Sequence, residues 1–428
     1  MSERLYVGTR KGLFELRRNA AGQWLPMASH FLGEPLSMLL ADPRDGALYA
    51  ALNLGHFGVK LWRRDAGATD WKECAVPVYP PQPPAAEPLE GQAAEPPWSL
   101  QQLWILEPGG ADRPGTLWAG TIPGGLFRSD DRGARGRRHP AHRGRPPPPP
   151  GGGGGGRPTR PPSHSGGPGA APPPRRGGGG PPPGGGAPPP PGGARGRLNR
   201  ELWERPERAQ WFGGGYDHPG IHSICVDPRD SRHLTVAVSC GGVWQSHDDG
   251  RSWTCTTRGM RADYMPPEQS EEAAIQDPHR LVQCQARPEF LWVQHHNGIF
   301  RSRDGGLHWQ GVVAEPSSFG FAVAVHPRQP DTAWFVPATK DECRIPRDAR
   351  FVVTRTRDGG HSFETLERGL PDGPAYDLVY RHGLDIDPSG ERLAMGSTTG
   401  GLWLSENGGE DWQQLSANLP PIYCVRFA

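Results

Sequence analysis

Apolar runs of strand length alternate with polar, glycine-bearing turns along most of the chain, and they fall into two recurring classes. Members of the first class mostly end in Asp-Pro or His-Pro. They begin near Leu36 ("LSMLLADP"), Trp98 ("WSLQQLWILEP"), Ile221 ("IHSICVDP"), His279 ("HRLVQCQARP"), Phe319 ("FGFAVAVHP"), His382 ("HGLDIDP") and Pro421 ("PIYCVRFA"). The second class reads "RLYVGT", "ALYAAL", "TLWAGT", "HLTVAV", "FLWVQH", "TAWFVP" and "RLAMGS". Runs rich in branched and aromatic residues, bounded by Gly, Pro and Asp, are strand signals. Each class has seven members.

Between the strands a short polar box returns: "SHDDGRSW" (246–253), "SRDGGLHW" (302–309), "TRDGGHSF" (356–363), "SENGGEDW" (405–412) and a truncated "SDDRG" (129–133). Its aspartate accepts hydrogen bonds from the turn's own amides, its glycine takes a positive φ, and the following aromatic drops into an apolar seam. The box is therefore a hairpin staple between a third and a fourth strand. Its aromatics recur about every 50 residues, the repeat length of a propeller blade.

The chain opens on a second strand and closes on a first strand. A ring of four-stranded blades behaves this way when its last strand completes the blade begun by the N-terminus, leaving few open edges. The fold class expected is all-β: a single seven-bladed β-propeller with four-stranded blades, closed by the C-terminal strand. Residues 1–133 supply blades one to three, and residues 198–428 supply the remainder.

Composition changes this picture in one place. Residues 134–197 hold 21 glycines, 20 prolines and eleven arginines, with no acid and no Leu, Ile, Val, Phe or Trp. Such a stretch buries too little apolar surface to offset its ordering entropy and is expected to be disordered. A genuine insertion and an out-of-frame reading of GC-rich codons both account for it. Without it, the formal charge of +1 becomes 36 basic against 46 acidic residues, a balance of −10. An acidic body disfavours nucleic acid as a partner. "RLNRELW" after the insertion is expected to supply the third blade's outer strand.

Seven cysteines without CxxC pairs or zinc-like spacing argue against a disulfide framework. The N-terminus lacks a signal-peptide apolar region, and no stretch is long and apolar enough to span a bilayer. The expectation is a cytoplasmic monomer with no membrane contact.

In this topology the turns between second and third strands and the links between blades share one face, opposite the boxes. That face collects "GTRKG" (8–12), "NLGHFGVK" (53–60), "GGGYDHPGIH" (213–222), "RADYMPPE" (261–268), "QHHNG" (294–298), "TKDECRIPRDAR" (339–350) and "YDLVYRHG" (376–383). Loops held by a rigid scaffold are where binding residues concentrate. Arg10, Arg261, Arg344 and Arg381 come from separate blades, and on converging they would form a cradle for a carboxylate or sulfate. His56, His218, His222, His295, Asn297 and Lys340 are further ligand-binding candidates. His295 and His296 are adjacent at a strand end and point to opposite sides. No short ligand spacing supports a metal site joining one of them to His222, His218 or His56, so neither metal nor cofactor is expected.

The boxes, with Ser302, Asp304, Gly306 and Trp309 as the fullest copy, resemble the Asp-box of bacterial neuraminidase (BNR) repeats. The chain outside 134–197 is similar to sialidase-like propellers, many of them glycosyl hydrolases. Such boxes also occur in sortilin-type receptors, xyloglucanases and photosystem assembly factors. The resemblance implies a carboxylate held by arginines, here Arg10, Arg344 and Arg381. It also implies a tyrosine nucleophile primed by an acid, here Tyr264 with Glu268 or Tyr216, and an acid/base, here Asp217 or Asp263. Sialidases carry a Phe/Tyr-Arg-Ile-Pro motif near their first blade, whereas this chain has "CRIP" at 343–346 in its sixth. The function expected is a glycoside hydrolase acting on a small glycan or acidic sugar in the central funnel; the alternative is a non-catalytic assembly propeller engaging a protein partner.

Overall fold

The computed structural model describes residues 1–82, 98–134 and 196–428. Seven four-stranded antiparallel sheets form the blades of a β-propeller. The innermost strands are Ile422–Phe427, Leu36–Ala41, Gln102–Pro108, Ile221–Asp227, Pro278–Gln283, Gly320–Val325 and Leu384–Ile386. Each packs against the next around a central axis, and the seventh returns to the first. These strands are apolar over most of their length because both their faces lie between neighbouring blades, which removes the alternation of a half-exposed strand.

Closure is made by Ile422–Phe427 pairing antiparallel with Arg4–Thr9, with Leu5 opposite Phe427 and Val7 opposite Val425. The first blade is thus assembled from both ends of the chain. Leu5, Val7, Ile422 and Val425 are fully buried and form one apolar cluster with Trp24, Leu402 and Leu404.

The recurring box does what its residues dictate. Ser302 Oγ donates to Asp304 Oδ1 (2.8 Å) and accepts from the Gly306 amide (2.8 Å), while Asp304 Oδ1 accepts from the His308 amide (3.0 Å). Ser246, Thr356 and Ser405 accept from Gly250, Gly360 and Gly409 in the same way (2.8, 2.7 and 2.9 Å). The fifth box residue is always a glycine at positive φ, +90° at Gly306, where a side chain would be strained.

The boxes also latch blades together. The residue before the box serine or threonine donates to a box carbonyl of the next blade: Gln245 to Gly305 (2.5 Å), Arg301 to Gly359, and Arg355 to Gly408 (2.7 Å). A second latch joins the Trp412 amide to the Arg368 carbonyl (2.8 Å).

In the third blade Arg197–Leu198 pairs with Leu126–Ser129 as the outer strand. It is shorter than expected: Arg200–Trp203 turns into one helical turn, capped by Asn199 accepting from the Leu202 amide (2.9 Å). Asparagine at that position competes with strand continuation by bonding the local backbone. The expectation of disorder for 134–197 falls almost wholly outside the described residues. All seven cysteines are unpaired.

Candidate functional site

On the face opposite the boxes the blades surround an axial funnel of about 630 Å³, lined from every blade. Seven inner strands splay around the axis, and the turns at their starts aim side chains inward. Farther along the axis, later positions of the same strands line a second cavity of about 690 Å³, with Glu107, Arg280 and Asp385 on its wall.

Arg381 dominates the funnel. It is 8 % exposed, and its Nε has no hydrogen-bond partner among the described residues. Its guanidinium lies 4.8 Å from the Trp104 ring centroid and 5.5 Å from that of Phe321. Burial pushes its pKa down, opposed chiefly by the charge of Asp277, but arginine stays protonated. A buried cation carrying no direct ion pair costs several kcal/mol of solvation. Its shape complement is a planar or tetrahedral anion.

Arg344 stands beside it, 5.2 Å from the Phe321 centroid. Its Nη2 pairs with Asp341 (2.6 Å). Arg10 is exposed at the rim and its amide is tied to the Pro421 carbonyl (2.9 Å). The structure therefore brings Arg10, Arg344 and Arg381 to one funnel. Arg261 is not among the lining residues; it is exposed and pairs with Asp263 (2.6 Å).

The two tyrosines differ. Tyr216 is 46 % exposed in the funnel, its ring edge-on to Trp104 at 4.9 Å. Tyr264 also lines the funnel, but its hydroxyl donates to the Ile275 carbonyl (2.7 Å), and burial pushes its pKa far up. Its proton is committed to the backbone, which opposes a phenoxide role. Glu268 and Asp217 are exposed and, like Asp263, lie outside the lining.

The histidines separate by burial. His222 is fully buried, its Nε2 donating to the Pro278 carbonyl (2.7 Å), and burial holds its pKa well below the ordinary value. His295 is buried between the amides of Asp277 (3.1 Å) and Asn297 (3.0 Å), with its pKa pushed down to about 3 by burial. His56 is exposed against Phe57 and His218 lies outside the lining. Asn297 accepts from the Asp263 amide (2.9 Å), and Lys340 faces Glu342 (3.5 Å).

Sequence reasoning missed Asp277 and His279. The register of the fifth blade sets Pro278 opposite His295, so Asp277 meets His296 across the two strands. The two are bonded through the His296 amide and the Asp277 carbonyl (2.9 Å). Asp277 Oδ1 accepts from the Cys240 amide (3.0 Å) and Ser239 Oγ (3.2 Å). Despite burial, the protonated forms of His279 and His296 and the Arg381 cation hold this carboxyl well below the usual range. It is a fixed negative charge and no proton donor.

No family model matches the chain, and no curated protein does. Solved structures share its fold. An ancestral GH74 enzyme is 14 % identical over 89 % of this chain, with a TM-score of 0.52; the chain spans only 38 % of that enzyme's length. A candidate 6-phosphogluconolactonase from Bacteroides fragilis is 12 % identical over 99 % of this chain and 97 % of its own (TM-score 0.49). YCF48 bound to a D1 peptide is 12 % identical over 86 % of this chain and 78 % of its own (TM-score 0.40). At these identities the likeness concerns the propeller fold alone.

Proposed function

We propose that the axial funnel binds a small anionic ligand of the acidic-sugar class, with its anionic group seated on Arg381 and flanked by Arg344 and Arg10. The observation carrying this reading is the burial of Arg381 without an ion-pair or hydrogen-bond partner among the described residues. An entering carboxylate supplies both the charge and the acceptors that this guanidinium lacks, so binding recovers solvation lost on folding. Trp104, Tyr216 and Phe321 give the same space apolar ring faces, as ligand pockets require. The resemblance of the boxes to BNR repeats, and the GH74 enzyme among the structural neighbours, fit a carbohydrate-directed role.

Hydrolysis is the activity to seek, although the funnel does not present two carboxyls in the usual acid and nucleophile roles. Its acids are Asp277, held ionised, and Asp341, paired with Arg344. Tyr216 is the candidate nucleophile with an unburied side chain. Calorimetric titration with a uronic acid and a sialic acid, each beside its neutral methyl ester, tests the reading. The acids are expected to bind in about the micromolar range and the esters at least about 30-fold more weakly. Equal binding of acid and ester, or binding of neither, contradicts it. Release of the aryl group from the corresponding aryl glycosides measures turnover.

A second reading rests on Phe57 (72 % exposed) and Tyr376 (61 % exposed), apolar rings in loops on the funnel face. Exposed aromatics of this kind also suit a protein partner. A stoichiometric complex that persists when Arg381 is replaced, and weakens in Phe57→Ser, favours that reading.

A further inference from the structure

No short ligand spacing along the chain points to a metal, yet three side chains on one wall of the funnel have the arrangement of a ligand set. Asp277 Oδ2 lies 3.4 Å from His279 Nε2 and 3.5 Å from His296 Nδ1. All three donor atoms fall within 4.8 Å of one another. Donors held about 2.0–2.1 Å from a tetrahedral ion are separated by about 3.4 Å along each edge of the tetrahedron. The two carboxylate-to-imidazole separations have that length, and both exceed the usual span of a good hydrogen bond.

The tautomer of His279 sharpens the point. Its Nδ1 is 2.7 Å from the Gly320 carbonyl, which only accepts, so Nδ1 carries the proton. In the neutral ring the Nε2 lone pair then faces the carboxylate oxygen of Asp277. Two acceptors held face to face repel, and a cation between them converts the conflict into coordination. Metal-bound imidazoles commonly donate their other N–H to a backbone carbonyl in this way. On the acid side, Cys240 and Ser239 occupy Oδ1 and leave Oδ2 directed at the two rings. Both ends of the set therefore have the supporting hydrogen bonds that orient metal ligands.

We propose that Asp277, His279 and His296 bind one divalent transition-metal ion, of which zinc is the representative, with its remaining coordination facing the funnel. Two imidazoles and one carboxylate favour such an ion over magnesium or calcium, which prefer all-oxygen sets. Three protein ligands and an open position are the pattern of reactive rather than structural zinc sites. The site is continuous with the arginines. Phe321 stacks on the His279 ring at 4.5 Å with 12° between planes, and the same ring carries the guanidiniums of Arg344 and Arg381. A ligand with its anionic group on Arg381 lies beside the ion. Donor geometry alone defines this site, whether or not an anionic ligand sits on Arg381.

The test uses the full chain, stripped with chelator and titrated with zinc alone, with no organic ligand present. One equivalent is expected to bind, and cobalt in its place is expected to give the visible absorption of a four-coordinate site. His279→Gln and His296→Gln should each weaken zinc binding at least about 100-fold, while His247→Ala, at the box end, should leave it unchanged. Circular dichroism and thermal melting report whether each variant is folded. His296, partly exposed on the funnel wall, is the replacement expected to fold even where His279→Gln does not. Failure of the parent chain to bind zinc stoichiometrically overturns the proposal and leaves a proton-sharing Asp–His network. Binding undiminished in both histidine variants overturns it too. Because no sugar is present, neither result depends on whether acidic sugars bind.

Discussion

The two ends of the propeller treat buried charge in opposite ways. Four arginines among the described residues are almost wholly buried: Arg301, Arg355, Arg392 and Arg381. The first three lie toward the box end and each is paired within the protein, although Arg392 Nε makes no hydrogen bond and only faces Glu406 Oε1 at 3.2 Å. Arg301 reaches the Gly359 carbonyl and Gln310 (3.0 Å), and Arg355 reaches Gly408, Glu364 and Glu410. Arg392 reaches Ser2 and Glu3. Arg381, at the funnel end, has none of these. Repetition at one end fixes blade to blade, whereas at the other the proposed ligand would supply the partner that the Arg381 guanidinium lacks. The box end maintains the ring; the funnel end is the proposed binding end.

That contrast predicts that damage at the box end lowers stability and spares ligand binding in the folded fraction. The largest effect is expected at Gly369, whose φ is +81° and where a Cβ would lie 1.8 Å from the Trp412 carbonyl oxygen. Gly369→Val should cost about 3–4 kcal/mol in urea unfolding, if the variant folds at all. Next comes Arg355→Met, which removes an inter-blade latch and leaves Glu364 and Glu410 facing each other. It should cost about 2–3 kcal/mol. Ser302→Ala deletes an acceptor for the Gly306 amide and should cost about 1–1.5 kcal/mol by the same measurement.

The smallest effect lies in the axial channel between the two ends. Burial raises the Glu107 carboxyl from 4.5 to about 7, opposed by Arg280 and Arg426. A carboxyl raised on folding contributes stability that is full below about 4.5 and is lost as pH climbs through 7. Glu107→Gln should therefore gain stability relative to the parent between pH 5 and pH 8. Glu107 is half-buried on a channel wall, and screening there limits the gain to about 1 kcal/mol. Melting curves at the two pH values read the difference.

The fold was legible because both strand classes are written out once per blade and the box in five of the seven, with box residues chosen for backbone reasons that hold anywhere. The arginines were legible too, since each sits in a turn that the repeat assigns to one face. Asp277 and His279 were not. "DPH" at 277–279 imitates the Asp-Pro that ends inner strands elsewhere, as in "CVDP" at 225–228, yet here it begins one. Only the register that sets Pro278 opposite His295 brings the aspartate to His296. Tyr264 was misjudged for a related reason: spacing placed it on the correct face and said nothing about the Ile275 carbonyl that takes its proton.

The division of labour between the ends is tested most directly by measuring melting temperature and acidic-sugar affinity together in Arg381→Leu. Affinity is expected to fall about 100-fold while the melting temperature holds or rises, because the variant replaces a buried, unpaired cation with an apolar side chain. A variant that melts well below the parent yet binds the sugar as tightly would contradict the account, since Arg381 would then be one more structural latch.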